Sequence, residues 1–159
     1  MYKIDLEQNQ IHKVPTVSFS SLGLKERNHL QEWLAHCPSA LGEELLIIQK
    51  EFDGFDDTYE RLDLLALDKQ GSLVIIENKL DDSGRDVVWQ ALKYASYCST
   101  LSKSQIADIF QQYLDKQAQA DSAKKLICDF LEISSEDFDA TNLNQGNSQR
   151  IMMVAANFS

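Results

Sequence analysis

Two stretches in the middle of the chain are apolar at nearly every position, Leu62-Asp63-Leu64-Leu65-Ala66-Leu67 and Leu73-Val74-Ile75-Ile76. A strand with one wet face alternates apolar and polar residues, whereas a near-continuous apolar run of this length marks a strand covered on both faces. Strands are therefore expected over Arg61–Asp68 and Ser72–Asn78, with a third over Leu45–Phe52. The flanking segments carry helical spacing. One helix is expected from about Leu22 to His36, capped by Ser20 or Ser21 and stopped by Pro38. Its apolar stripe is Leu22, Leu30, Trp33, Leu34 and Cys37, and Glu26 falls on that stripe. An acid on a core-facing stripe either sits at an edge that reaches water or is held by a cation.

A second helix is expected over about Gly84–Thr100, with Ser83 and Asp86 as a capping box and Val87, Val88, Ala91, Ala95 and Cys98 as the buried stripe. Two more follow near Gln105–Gln117 and Ser122–Leu131, and a last strand near Arg150–Ala155. Tyr2–Val14 reads as a short hairpin turning at Gln8-Asn9-Gln10. The order of elements gives an α/β class, with residues 1–18 as an N-terminal extension and residues 19–159 as one domain.

Composition narrows the function. No apolar run approaches the roughly 18 residues that span a bilayer, and the start lacks the pattern of a signal peptide. Cys37, Cys98 and Cys128 are odd in number and widely spaced, without zinc spacing to His12, His29 or His36, so they are expected to be reduced and mostly buried in a cytoplasmic protein. The formal net charge of −10 weighs against extensive phosphate contact, unless charge is segregated by face or part of it binds metal. Asp53, Asp56, Asp57 and Glu60 place four acids in one loop, which reads as solvated.

The chemistry lies between the two central strands. If Lys69, Gln70 and Gly71 form a three-residue loop with Gly71 in the left-handed conformation, Asp68 opposes Ser72, and counting back along both strands puts Asp63 opposite Glu77. Opposed residues have β-carbons roughly 4.5–5.5 Å apart, where like charges destabilise a sheet. Lys79 shares the Glu77 face by the two-residue period. Two carboxylates and an amine converging in apolar strands suit a divalent metal and phosphodiester hydrolysis; the bland alternative is a buried ion network that sets strand register. Gln90, with Tyr94 and Tyr97 at i+4 and i+7, forms a polar–aromatic stripe that either lines a cleft or is an ordinary half-exposed face. Arg61 is expected to pair with the acidic loop rather than with phosphate.

The runs Arg61–Asp68, Gly71–Lys79 and Gly84–Tyr94 together resemble the PD-(D/E)XK nuclease superfamily, closest to NucS-like (RecB-like) endonuclease domains and related uncharacterised bacterial proteins. The likeness covers about Phe19–Ser99. It implies a restriction-endonuclease-like αβββαβ core with a central mixed sheet flanked by helices. It also implies that Asp63 and Glu77 are the metal ligands, Lys79 the catalytic lysine, Gln90 the site-facing glutamine and Glu26 the first-helix acid, with Glu43 or Glu44 as substitutes for Glu26. Leu62 stands where the superfamily name has Pro, and Asn78 replaces a usually apolar residue, placing a polar group on the opposite face. Members tend to continue past the final strand, which implies a chain truncated at its C-terminus whose missing end holds DNA or homodimer contacts. The function so implied is a Mg²⁺-dependent (or Mn²⁺-dependent) endonuclease acting on DNA in repair, restriction or defence. The alternatives are a catalytically silent nuclease-like domain that binds nucleic acid or a protein partner, and a purely structural protein.

Overall fold

A computed structural model of the chain describes residues 1–54, 61–80 and 86–158. The central sheet has four strands: β3 (Leu45–Phe52), β4 (Leu62–Asp68), β5 (Leu73–Asn78) and β6 (Arg150–Val154), in the order β3-β4-β5-β6. The first three pair antiparallel, and β6 joins β5 in parallel. A parallel neighbour requires a crossover, supplied here by α2 (Val87–Cys98), α3 (Lys103–Lys116) and α4 (Ala123–Leu131). Before the sheet lies α1 (Gln31–His36). The molecule is a mixed α/β fold with helices flanking the sheet.

The apolar strands are buried as their composition requires. On one face Leu65, Leu67, Leu73 and Ile75 pack with Tyr94, Cys98, Ile106, Phe110 and Ile127 of α2, α3 and α4. On the other, Leu64, Ala66, Val74 and Ile76 pack with Leu30 and Leu34. The chain opens with a separate hairpin, β1 (Tyr2–Asp5) and β2 (Gln10–Lys13), none of whose residues is buried. No helix among the described residues is long and apolar enough to cross a membrane.

The β4–β5 hairpin has the expected register. Leu64 pairs with Ile76, Leu65 with Ile75, Ala66 with Val74 and Leu67 with Leu73. Gly71 is left-handed at φ 76°, its N–H donating to the Asp68 carbonyl. Asp68 Oδ1 ties the loop by accepting from the Gln70 and Ser72 amides. A β-carbon on Gly71 would stand 2.9 Å from Leu143 Cδ2 and 3.3 Å from the Asn142 carbonyl oxygen. Gly71→Val therefore combines a left-handed backbone cost with overpacking, and is expected to destabilise by about 2–4 kcal/mol. A lower urea midpoint at unchanged slope would show it; an unchanged midpoint would mean the loop relaxes freely.

Several expectations are corrected. The first long helix does not begin at Leu22. A short 3₁₀ turn over Ser20–Leu22 ends at left-handed Gly23, Lys25 is extended, and the helix starts at Glu26 with a π turn, Glu26–Leu30, before α1. Leu22, Trp33 and Cys37 are consequently exposed, and Gln31 is buried instead. On α2, Val88 is exposed and Tyr94 is fully buried, because the sheet meets the Val87–Ala91–Tyr94–Cys98 side. Ser83 lies outside the described residues, and Asp86 makes no side-chain cap.

Candidate active site

Four of the expected side chains come together at the open end of the β4–β5 hairpin, opposite its loop. Extending the register by one pair from Leu64–Ile76 puts Asp63 across from Glu77. Asp63 Oδ2 accepts the Asn78 amide at 2.8 Å. Lys79 follows two residues after Glu77, its backbone N–H bonded to the Val154 carbonyl of β6 at 2.7 Å. Its Nζ lies 3.5 Å from Glu26 Oε1, while Glu26 Oε2 accepts the Leu80 amide at 2.9 Å. The acid on the apolar stripe thus holds both the ammonium and the backbone that carries it.

The π turn explains how α1 reaches this end of the sheet. Its i→i+5 bond, from the Gln31 amide to the Glu26 carbonyl, brings residues five apart toward one side. Glu26 can then grip Lys79 and Leu80 while Gln31, 1% exposed, donates from Nε2 to the Asp63 carbonyl at 3.2 Å. Such single π turns concentrate at functional sites. Gln31 was missed from the sequence because α-helical spacing separates it from Glu26.

Burial and like charge set the electrostatics. Burial raises the Glu77 carboxyl to about 8, with the neighbouring Asp63 charge adding to the rise and Lys79 opposing it. Burial also lifts Asp63 to about 6; the Asn78 hydrogen bond and Lys79 oppose this, while Glu26 and Glu51 add to it. Near neutral pH Glu77 is therefore largely protonated and Asp63 largely ionised. Glu77 is 1% exposed, whereas the Lys79 and Glu26 side chains are 29% and 36% exposed. The cluster is sealed at Glu77 and meets solvent at the Glu26–Lys79 pair.

Unsatisfied polar atoms collect at the same place. Among the described residues, the buried side-chain atoms without a hydrogen-bond partner are Gln31 Oε1, Glu51 Oε1, Glu77 Oε1, both amide atoms of Asn78, and Ser148 Oγ. All but Ser148 Oγ belong to residues around Asp63: Gln31 bonds its carbonyl, its charge perturbs Glu77, that of Glu51 perturbs it, and Asn78 bonds it through the backbone N–H while its own side-chain amide is on the α1-side face. Buried polar groups are nearly always paired, so a local run of orphans marks a place for water, an ion or catalysis. Asn78, 0% exposed, shares the α1-side face with Val74 and Ile76, where the sequence expected a polar group.

The other candidates lie elsewhere. Gln90 Nε2 donates to Tyr94 Oη at 2.8 Å, and Tyr94 Oη donates to the Arg61 carbonyl at 3.1 Å. Gln90 thus reaches β4 through a buried tyrosine, and among the described contacts it touches none of the four clustered side chains. The Gln90–Tyr94–Tyr97 stripe does not act as one surface: Tyr94 is in the core, Tyr97 packs against it and lines a hollow with Phe52 and Gly54, and Gln90 borders a separate hollow of about 370 Å³ with Asp86, Trp89 and Lys93. Glu43 and Glu44 are at the loop end of the sheet, where Glu43 pairs with Arg150 and Glu44 with Lys69, so neither substitutes for Glu26. Arg61 pairs with Glu51 at 3.7 Å. The loop acids Asp56, Asp57 and Glu60 lie outside the described residues. No set of three His, Cys, Asp or Glu side chains among the described residues gathers as a metal cage.

Comparison with known proteins gives no match among family models, curated proteins or solved structures.

Proposed function

We propose that the chain is a metal-dependent nuclease domain of the PD-(D/E)XK type, hydrolysing DNA phosphodiester bonds, with a restriction-endonuclease-like core. The observation that carries the reading is the gathering of Asp63, Glu77, Lys79 and Glu26 just past the Leu64–Ile76 pair, with Asp63 Oδ2 on the Asn78 amide and Glu77 Oε1 buried and unbonded. The order α1, β3, β4, β5, α2, β6, with two further helices before β6, agrees with an αβββαβ core.

The donor set fits a hard divalent cation. Two carboxylates offer oxygen ligands of the kind magnesium and manganese prefer, and a positive ion would relieve the like-charge pair and satisfy the orphan oxygen. With only two such side chains, the rest of the coordination falls to water, as is usual for magnesium. Asp63 and Glu77 would hold it, and when bound it would supply Lewis acidity toward phosphate and an acidified water. The protein's own work is then divided. Asp63 and Glu77 fix the position, Lys79 orients the attacking water and stabilises charge on the phosphoryl oxygens, and Glu26 and Gln31 hold Lys79 and the Asp63 backbone in place.

A second reading is favoured by the deep burial of Glu77: a structural ion network on a nuclease-like fold. One experiment separates them. Single-stranded, flapped and duplex DNA are incubated with wild type and Asp63→Ala in Mg²⁺ or Mn²⁺, alongside calorimetric metal titration. The nuclease reading expects cleavage and metal binding that both vanish in the variant. Folded wild-type protein that neither binds metal nor cuts DNA would leave the structural network.

A further inference from the structure

The clustered carboxylates adjoin a groove of about 480 Å³ on the side of β3 between α1 and α3. Its lining includes Arg27, Lys50, Arg61 and Lys116, against Glu32, Glu51 and Asp53. Four cations against three acids leave a net charge of +1 here, in a chain whose net charge is −10. The groove borders the candidate site: Gln31 lines it and bonds the Asp63 carbonyl, Arg61 precedes Asp63 by two residues, and Glu51 is close enough to raise the Asp63 pKa.

Its two arginines are arranged around one carboxylate. Glu51 sits in a left-handed conformation, φ 52°, that a non-glycine residue adopts only at some cost. Arg27 and Arg61 converge on its Oε2 at 2.8 and 3.7 Å, while its Oε1 is buried and unbonded. Two arginines about one carboxylate form a seat of the shape and charge that takes a phosphate. Tyr113, on α3, lines the same groove and offers an aromatic face among the cations. The volume matches that of a drug-sized ligand, about one or two nucleotides, and is too small for a duplex.

We propose that this groove is the track by which a single-stranded polynucleotide is led to the Asp63–Glu77–Lys79 centre. Arg27 and Arg61 take a backbone phosphate in place of Glu51, Lys116 holds a neighbouring phosphate while Lys50 stays paired with Glu32 at 2.8 Å, and Tyr113 stacks on a base. The inference rests on the nuclease reading for its destination, and combining cations with a stacking platform is how single strands are held without sequence preference.

The test is fluorescence anisotropy of labelled oligodeoxythymidylate in EDTA, over a salt series, so that no cleavage intervenes. Wild type is expected to bind at low salt with affinity falling steeply as salt rises. Arg27→Ala/Arg61→Ala is expected to weaken binding roughly 10-fold or more and flatten the log–log salt slope by about 0.7, the contribution of one single-strand phosphate contact. Glu51→Gln, which removes the carboxylate that competes with phosphate, is expected to tighten binding several-fold. A merely structural arginine–glutamate pair predicts the opposite for Glu51→Gln. Circular dichroism and melting establish that each variant is folded. No oligonucleotide binding by wild type, or binding unchanged in the folded variants, overturns the track, and metal-dependent cleavage by the same wild-type sample would leave the nuclease reading intact. Groove-dependent binding by a protein that never cleaves overturns the nuclease reading and leaves the groove as a single-strand site.

Discussion

Glu77→Gln is expected to make the metal-free protein more stable at pH 9 while abolishing metal-dependent cleavage. The substitution keeps the shape of a side chain that is 1% exposed and removes its capacity for charge. Ionising Glu77, whose carboxyl is raised to about 8, costs on the order of 3–5 kcal/mol of folding stability. Removing that cost corresponds to a rise in melting temperature of roughly 6–15 °C at pH 9. At pH 5, where Glu77 is protonated, the two proteins should melt nearly together. Cleavage should fall at least about 100-fold, because half of the proposed ligand pair is gone. A stabilising ion network predicts the reverse, since deleting one partner of a buried pair leaves the other uncompensated. A variant that melts below wild type at pH 9 would support the network and count against the nuclease.

The same groups give metal-free wild type a characteristic pH dependence. A carboxyl whose folded pKa is raised contributes stability that is complete below its unfolded value and is lost as pH rises through the folded value. Asp63 loses its contribution as pH rises from its ordinary value of 3.8 to about 6, and Glu77 as pH rises from 4.5 to about 8. The metal-free protein should therefore be less stable at pH 9 than at pH 5 from this cluster. Saturating Mg²⁺ or Mn²⁺ should flatten the profile at its alkaline end, because a ligand that binds only the folded state stabilises it by mass action. Metal uptake near pH 7 should release close to one proton, mostly from Glu77. Equal heats of metal binding in buffers of different ionisation enthalpy would contradict that release.

What was legible in the sequence follows from what local residues can determine. The central hairpin was readable because Gly71 and the loop length leave one register, and one register puts every side chain on a known face. Glu26 was noticed because a charged residue interrupts an apolar stripe. Its exact role was not, since its partners Lys79 and Leu80 are more than 50 positions away in the chain. Gln31 and Glu51 were overlooked for a related reason. One reaches the site through a π turn and the other through a left-handed residue within a strand, and both depart from the regular periods on which sequence reading relies. Gln90 was correctly seen as adjoining an aromatic row, but periodicity could not reveal that Tyr94 turns into the core. Arg61 was expected to pair with the acidic loop, most of which lies outside the described residues; the partner described is Glu51, on β3 beside it.

Lys79→Ala is expected to lower kcat by roughly 10²–10³-fold, the cost of removing one preorganised positive group from a transition state that gathers negative charge. Its effect on metal should be of a different kind. Lys79 lowers the carboxyls of both Asp63 and Glu77, so without it their ionisation moves to higher pH, and metal binding and residual activity should follow to more alkaline values. Glu26→Gln provides the contrast. It keeps an acceptor for the Leu80 amide but loses the charge held 3.5 Å from Nζ, so it should reduce kcat about 10-fold through misplacement of Lys79. It also removes a negative charge that raises both clustered carboxyls, so its pH profile should move the other way, toward acid. Opposite displacements from two residues in contact would be hard to obtain from general loosening of the fold. The measurement is kcat and KM against pH for the three proteins on one DNA substrate. If Lys79→Ala cuts as fast as wild type, the nuclease activity is a contaminant or the centre lies elsewhere. If both variants move the profile in the same direction, the charges around Asp63 and Glu77 do not govern catalysis.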